Sequence, residues 1–335
     1  MEMEKIRPFV EEHKPLHEML PLSEPLFLSI RISDSCNFKC RFCYNSVNEI
    51  KDGSLISLDF YKKLISDLSD FEGQVDTLLI GGDVEPLQHP EFTDFIKIAR
   101  NSGKVKTLKM STNVSLLTPE LARDIISSGI DIVQISINGM SNEHYKYITN
   151  CDVDFNMIKG NVEYLHSIKE NAHIHIKCIG DYFSEEQKAE FFSVFSPLCD
   201  SINIERLVNQ WLDIELDIKS GVNRFDLHNA KSSSICSRPF YLINVHHNGN
   251  VNCCPASIKT TFALANANTS SLFDIWKGKA LYELRMAFLR GNYQSKCHSC
   301  SMCKFTEFQT SENLTPYREV LLEKYEKLGC RGMCV

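Results

Sequence analysis

Three cysteines lie close together near the start of the chain, in the run Cys36-Asn37-Phe38-Lys39-Cys40-Arg41-Phe42-Cys43-Tyr44. The spacing is C-x3-C-x2-C. Three thiolates on one short loop can hold three irons of a [4Fe–4S] cluster. The fourth iron then keeps an open position, the property that separates catalytic metal sites from closed structural ones. Zinc is the competing chemistry. Structural zinc draws on two C-x2-C pairs or on Cys/His pairs, whereas this loop has three cysteines and no nearby histidine.

The chain of 335 residues carries fourteen cysteines, with further clusters at 253/254, 297/300/303 and 330/334. The N-terminus, Met1 to Glu12, is charged and has no apolar stretch of the kind a secretory signal needs, and the chain is not a small disulfide scaffold. Tight clusters in that setting suit metal ligation. Cys151, Cys178 and Cys199 stand alone and read as small buried apolar residues. A second candidate site is Ile80-Gly81-Gly82-Asp83-Val84-Glu85-Pro86. Two glycines let backbone approach a ligand closely, and a carboxylate just after them can accept hydrogen bonds from an ammonium group.

These groups need a frame. From Leu26 to Leu207 the pattern alternates between strand and helix. Strands are predicted at Leu26–Ser33, Val75–Gly81, Val105–Ser111, Asp131–Ile137, Ala172–Ile179 and Ser201–Leu207. Helices are predicted at Leu58–Leu68, Glu91–Asn101, Pro119–Ser128, Phe155–Lys169 and Glu185–Phe195. Six units in this order imply an α/β fold with a parallel sheet and crossover helices. A closed barrel needs eight, so the expectation is a partial (βα)6 TIM-like barrel with its site at the C-terminal ends of the strands. The cysteine loop follows strand one, and Gly81-Gly82-Asp83 follows strand two.

Strand parity predicts what the barrel contains. Leu28, Ile30 and Ile32 oppose Arg31 and Ser33. Leu108 and Met110 oppose Lys109, Ser111 and Asn113. Val133, Ile135 and Ile137 oppose Gln134, Ser136 and Asn138. Ile174, Ile176 and Cys178 oppose His173, His175 and Lys177, and Ile202 and Ile204 oppose Asn203 and Glu205. With the apolar faces under the helices, the polar faces make a lumen suited to polar ligands. The alternative is a one-sided sheet with its polar face in water, which parallel sheets rarely adopt.

After Leu207 the pattern changes. The expected divisions are an N-terminal extension 1–25, the barrel 26–210, a connector 211–235, a small cysteine-rich domain 236–310 and a C-terminal helix and tail 311–335. Within the small domain, Tyr241–Cys253 reads as a hairpin turning at Asn248-Gly249 in a type I′ turn. Thr269–Arg290 reads as one helix and Pro316–Lys327 as a short one.

The cysteine loop, with the aromatic Phe42 before its third cysteine, resembles the signature of radical S-adenosylmethionine (SAM) enzymes. The resemblance covers residues of roughly 26–305. It implies that Cys36, Cys40 and Cys43 hold a SAM-binding [4Fe–4S] cluster with Phe42 and Tyr44 beside it. It also implies that Gly81, Gly82 and Asp83 meet the SAM amino group in the place of a Gly-Gly-Glu motif. Asp83 replaces the glutamate and Val84 is inserted, so Glu85 is a second candidate for that role. Ser111 and Asn113, and Ser136 and Asn138, resemble the family's contacts to the methionyl and ribose parts. Family members often carry an arginine near the position of Thr149; Lys146 or Lys177 is the candidate substitute. Cys236, Gly249 and Cys254 fit the opening C-x(9–15)-G-x4-C of the SPASM/twitch extension, and Cys297-x2-Cys300 fits the next part. Cys303 comes too soon for the full two-cluster pattern. One closed auxiliary [4Fe–4S] cluster on Cys236, Cys254, Cys297 and Cys300 is implied, with Cys303 and Cys253 as alternates for Cys300 and Cys254. A zinc ribbon is the competing reading of this region. Cys330 and Cys334 remain open between ligand pair, hydrogen donor and plain tail.

The resemblance implies reductive cleavage of SAM to a 5′-deoxyadenosyl radical, which takes a hydrogen atom from a substrate in the lumen. Oxidation would follow if the auxiliary cluster accepts an electron and Lys177, His175 or Glu205 takes the proton. Epimerisation would follow if a cysteine returns a hydrogen atom. A hydroxylated small molecule such as a sugar or aminocyclitol is the expected substrate. Maturation of a ribosomal peptide is the second reading, and only residues 1–25 precede the barrel, which is short for a leader-binding domain. A non-catalytic iron–sulfur or zinc binding protein is the reading of another class. An electron donor such as flavodoxin or ferredoxin is implied. The net charge of −7 disfavours sequence-independent nucleic-acid binding. No apolar run reaches the ~18–20 residues that span a bilayer, so a cytoplasmic location is expected.

Overall fold

The barrel strands form where the apolar alternation placed them. The computed structural model describes residues 6–7, 13–46, 53–208, 233–254, 263–303, 306 and 312–332. Six parallel strands follow in chain order: β1 (Phe27–Ile30), β2 (Val75–Ile80), β3 (Val105–Thr112), β4 (Ile132–Ser136), β5 (His173–Ile179) and β6 (Ser201–Glu205), each beside the next. The registers run without breaks, for example Leu28↔Leu78 and Gln134↔His175. The sheet stays open, with β6 at one edge. Most of the connector expected at 211–235 lies outside the described residues, as does Cys334.

Four of the five crossover helices start on side-chain caps. Ser57, Thr118, Asp154 and Ser184 each accept a hydrogen bond from a backbone N–H of the first turn, and Ser184 with Gln187 completes a capping box. Their apolar stripes cover the sheet: Tyr61 and Leu64, Phe95 and Ile96, Ile125, Val162, Phe191 and Phe195 are all buried. Each such side chain contributes ~1.5–3 kcal/mol by leaving water. The opposite face of the sheet is not in water. His175, Asn203 and Glu205 are each 5% exposed or less, so the polar face is an interior wall and the one-sided sheet is excluded.

Three local expectations are corrected. A helix at Asn142–Thr149 was not foreseen. Its buried side is His144, Tyr145, Ile148 and Thr149, half of them polar, so no apolar stripe marks it. The predicted single helix Thr269–Arg290 is two, Leu272–Lys277 and Lys279–Arg290, because Gly278 is extended at ψ 158°. The hairpin is present, but its turn is not type I′. His246 N–H donates to Asn250, Gly249 N–H donates to His246, and within the turn only Gly249 takes a positive φ, 86°. That is a type I turn closed by a left-handed glycine.

The hairpin strands are β7 (Leu242–Val245) and β8 (Asn250–Asn252), with β9 (Ala265–Asn266) beyond. β7 pairs in parallel with β1 through Phe27↔Leu242 to Ile30↔Val245. The two parts of the chain therefore share one nine-stranded sheet. The C-terminal helix is longer than expected, Arg318–Gly332.

Candidate active site

The cysteine loop is held by the helix that the sequence hid. The amides of Lys39 and Arg41 donate to the carbonyls of Thr149 and Ile148 at 3.0 Å, using acceptors that a helix C-terminus leaves unpaired. Phe38 is buried and meets the Tyr145 ring edge-on at 6.4 Å. Cys151 Sγ reaches the Asn37 carbonyl at 3.4 Å. On the other side Asn113 Nδ2 donates to Asn37 Oδ1 at 2.9 Å. The loop is thus fastened to the ends of β3 and β4.

Cys36, Cys40 and Cys43 all line one cavity of about 360 Å³ at the C-terminal ends of the strands, and Phe42 lines it beside them. Burial pushes the Cys36 thiol up to about 12 and holds Cys40 well above the usual thiol range, where Cys43 and Cys36 add to the effect. These thiols become thiolates when a metal takes the place of the proton. Three mutually coupled thiols around an open cavity fit a cluster with one free corner.

The β2 loop shapes the floor. Gly81 and Gly82 have φ 113° and 66°. A Cβ on Gly82 would come 3.2 Å from Arg31 Cβ, and one on Gly81 2.8 Å from Pro86 Cβ. Gly82, Asp83 and Glu85 line the cavity. The two acids do different work. Glu85 is buried, accepting from Thr112 Oγ1 and the Asn113 amide at 2.7 Å and from the Leu87 amide at 3.2 Å. Its carboxyl is pushed up to about 7 by burial, against those hydrogen bonds. It staples β2 to β3, which leaves Asp83 as the acid nearer the Gly-Gly turn.

Beyond this floor, Ser111, Asn113, Ser136 and Asn138 all reach the cavity. So do Lys177 and Glu205, whose Nζ and Oε2 are 3.0 Å apart. His175 lies behind them, 2% exposed, with Nδ1 2.8 Å from Ser201 Oγ. Burial, then the Lys177 charge, hold its imidazole down at about 3. Tyr44 also sits behind the wall, 2% exposed under the Arg31 guanidinium, 5.1 Å from the ring centre. Of the two lysines weighed for the SAM carboxylate, Lys146 is drawn outward to Asp152 at 2.7 Å with its side chain 53% exposed, whereas Lys177 faces the cavity. Thr112, between Ser111 and Asn113, also lines the cavity, and Arg206 and Arg238 line it without having been anticipated. Arg206 falls just past the end of β6, where strand parity no longer applies, and nothing in Cys236-Ser237-Arg238 shows where its arginine points.

A second group of thiols gathers in the C-terminal part. Cys236 is influenced by Cys254 and Cys303, and Cys300 by Cys297, Cys253 and Cys236. Cys297 Sγ accepts from the Cys300 amide at 3.3 Å. Cys300 also donates to Cys297 through its thiol, which pulls Cys297 down and Cys300 up. Arg238 Nη1 donates to Cys254 Sγ at 3.0 Å. Cys253 is buried in the apolar core. A sulfur-only donor set with a partnering cation fits an iron–sulfur cluster.

Comparison with known proteins agrees with this geometry. Residues 30–191 match the radical SAM superfamily, and residues 236–304 match the SPASM iron–sulfur cluster-binding domain. The chain belongs to the radical SAM superfamily. It has a radical SAM domain followed by a C-terminal SPASM domain, which imply a SAM-binding [4Fe–4S] cluster and auxiliary iron–sulfur chemistry.

Among curated relatives, a tungsten-containing aldehyde ferredoxin oxidoreductase cofactor-modifying protein of Pyrococcus furiosus is 30% identical over 112 residues, 33% of this chain and 30% of that protein. A GTP 3′,8-cyclase of Acaryochloris marina is 30% identical over 129 residues, 38% of each. The chain thus spans about a third of the length of these relatives. Among solved structures, BtrN in complex with AdoMet and 2-DOIA aligns with TM-score 0.58 at 19% identity over 86% of this chain and 96% of that one. Streptococcus suis SuiB bound to S-adenosylmethionine aligns with TM-score 0.64 at 16% identity over 88% and 74%. These likenesses are of fold. No helix of the described residues is long and apolar enough to cross a membrane.

Proposed function

We propose that this chain oxidises a hydroxylated small molecule of the sugar or aminocyclitol class at a carbinol carbon. The observation that carries the reading is the Lys177–Glu205 pair on the wall of a polar cavity of about 360 Å³, a size within the range of small-molecule sites. Cys36, Cys40 and Cys43 would hold the SAM-binding cluster. Cys236, Cys254, Cys297 and Cys300 would hold one auxiliary cluster, and Cys303 and Cys253 are the alternates. When bound, these groups and SAM supply cleavage of SAM to methionine and a 5′-deoxyadenosyl radical, removal of one hydrogen atom from the substrate and an acceptor for one electron. The chain's own residues do the rest. Asp83 accepts from the SAM ammonium. Ser111, Asn113, Ser136 and Asn138 offer neutral hydrogen bonds to the ligand. Lys177 pairs with and orients the Glu205 carboxylate at 3.0 Å, and Glu205 takes the hydroxyl proton as the carbinol becomes a carbonyl. His175 is kept neutral and positions the wall. A flavodoxin- or ferredoxin-type donor is the expected source of electrons.

That SuiB has also been solved bound to precursor peptide SuiA keeps a peptide substrate as the second reading. The test is to reconstitute iron and sulfide anaerobically and supply SAM, reductant and a panel of cyclitols and sugars deuterated at each carbinol carbon, beside a set of peptides deuterated at Cα and Cβ. Deuterium in 5′-deoxyadenosine, with a ketone formed in equal amount, is the expected result. Transfer only from a peptide would overturn the small-molecule reading.

A further inference from the structure

Arg238 touches both the main cavity and the second group of thiols. It lines the main cavity, and its Nη1 donates to Cys254 Sγ at 3.0 Å. It is 7% exposed. It opens the helical turn Arg238–Tyr241, and that turn is itself fixed, because the buried Arg285 donates from Nε to the Pro239 carbonyl at 2.8 Å. The backbone that carries the guanidinium is therefore held in place.

We propose that Arg238 is a positioning residue that sets the reduction potential of the auxiliary cluster and ties that potential to what occupies the main cavity. A cationic donor on a cluster sulfur stabilises the negative charge that reduction adds, and so raises the potential. A ligand bearing a carboxylate, phosphate or carbonyl oxygen near Arg238 shares the same cation and weakens its hold on the sulfur. Occupancy of the cavity then lowers the potential of the auxiliary cluster. The inference rests on Cys254 being a ligand of that cluster.

The test is an anaerobic redox titration of the reconstituted full-length protein, following each cluster by electron paramagnetic resonance. In Arg238→Met the auxiliary midpoint is expected to move to a more negative potential while that of the SAM-binding cluster stays in place. Arg238→Lys, which keeps a cation but loses the planar fork, is expected to fall between. In the parent protein, adding SAM should move the auxiliary midpoint in the negative direction, and in Arg238→Met it should not. Arg238→Gln serves as the neutral variant if Arg238→Met does not load iron. An auxiliary midpoint unchanged in the neutral variant, or an equal shift of both clusters, overturns the proposal. The ligand assignment is checked apart from this: Cys254→Ser that keeps full iron and the auxiliary signal would remove the reading on which the proposal stands.

Discussion

At the scale of single residues, the cavity wall sorts its acids and bases by what each touches. Glu205→Gln removes the proposed proton acceptor while keeping the shape. Product formation should fall about 10²–10⁴-fold, with 5′-deoxyadenosine still released, as read by quantifying both products in one assay. His175 offers a pH test. Its folded value of about 3 lies below the ordinary 6.5, so below about pH 6.5 the unfolded chain binds a proton that the folded chain refuses. Stability therefore falls as the pH drops from there toward 3, with a slope of at most ~1.4 kcal/mol per pH unit from this group. His175→Gln should flatten the fall in urea midpoint between pH 6 and pH 4. Glu85, held up at about 7, acts in the opposite sense, since its stabilisation is lost as pH rises through that value. The comparison is therefore between variant and parent, both of which keep Glu85. At this scale the metal chemistry was legible because cysteine spacing is local. Arg238 was not, because its partner Cys254 and its cavity are brought to it by a fold that no local pattern records.

At the scale of elements, the helix Asn142–Thr149 decides whether the cysteine loop is ordered. Its N-cap is Ser141, which accepts from the His144 amide at 3.1 Å. Ser141→Ala should cost about 1 kcal/mol, seen as a lower thermal midpoint. Because the last carbonyls of this helix receive the loop amides, the variant should also release iron faster to a chelator than the parent. The six barrel strands and the five crossover helices were readable from apolar periodicity, to within a few residues at each end. This helix was not, since His144 and Thr149 occupy buried positions with polar side chains that pair inside: His144 Nε2 lies 2.9 Å from the Tyr182 carbonyl and Thr149 Oγ1 donates to Tyr145 at 2.7 Å. The break at Gly278 was hidden for another reason. An apolar pattern continues across it, and only the crowding there, where a Cβ would come 2.5 Å from the Asp274 carbonyl oxygen, shows that the chain has turned.

At the scale of the whole molecule, a clamp joins the barrel to the cysteine-rich part. Lys63 Nζ donates to Asp67 Oδ2 and the Ala267 carbonyl at 2.7 Å and to the Ser270 carbonyl at 2.8 Å. Asp67 in turn accepts from the Leu272 amide at 3.0 Å. Lys63→Ala should weaken this docking by about 1–3 kcal/mol, detected as faster amide hydrogen exchange over residues 265–277 with the barrel strands unchanged. Equal exchange in both proteins would count against the clamp. The pairing of β7 with β1 was likewise invisible beforehand, because a parallel pair more than two hundred residues apart leaves no mark on either segment.

That pairing bears on how the protein is made. β1 leaves the ribosome more than two hundred residues before β7, yet one of its two edges is completed only by residues 242–245. Until β7 is made the nascent barrel carries an unpaired row of N–H and C=O groups in the middle of its future sheet, the kind of edge on which chains aggregate. A chain cut short before β7 should accumulate as insoluble material rather than as a free barrel, and full-length yield should depend on chaperone supply during translation.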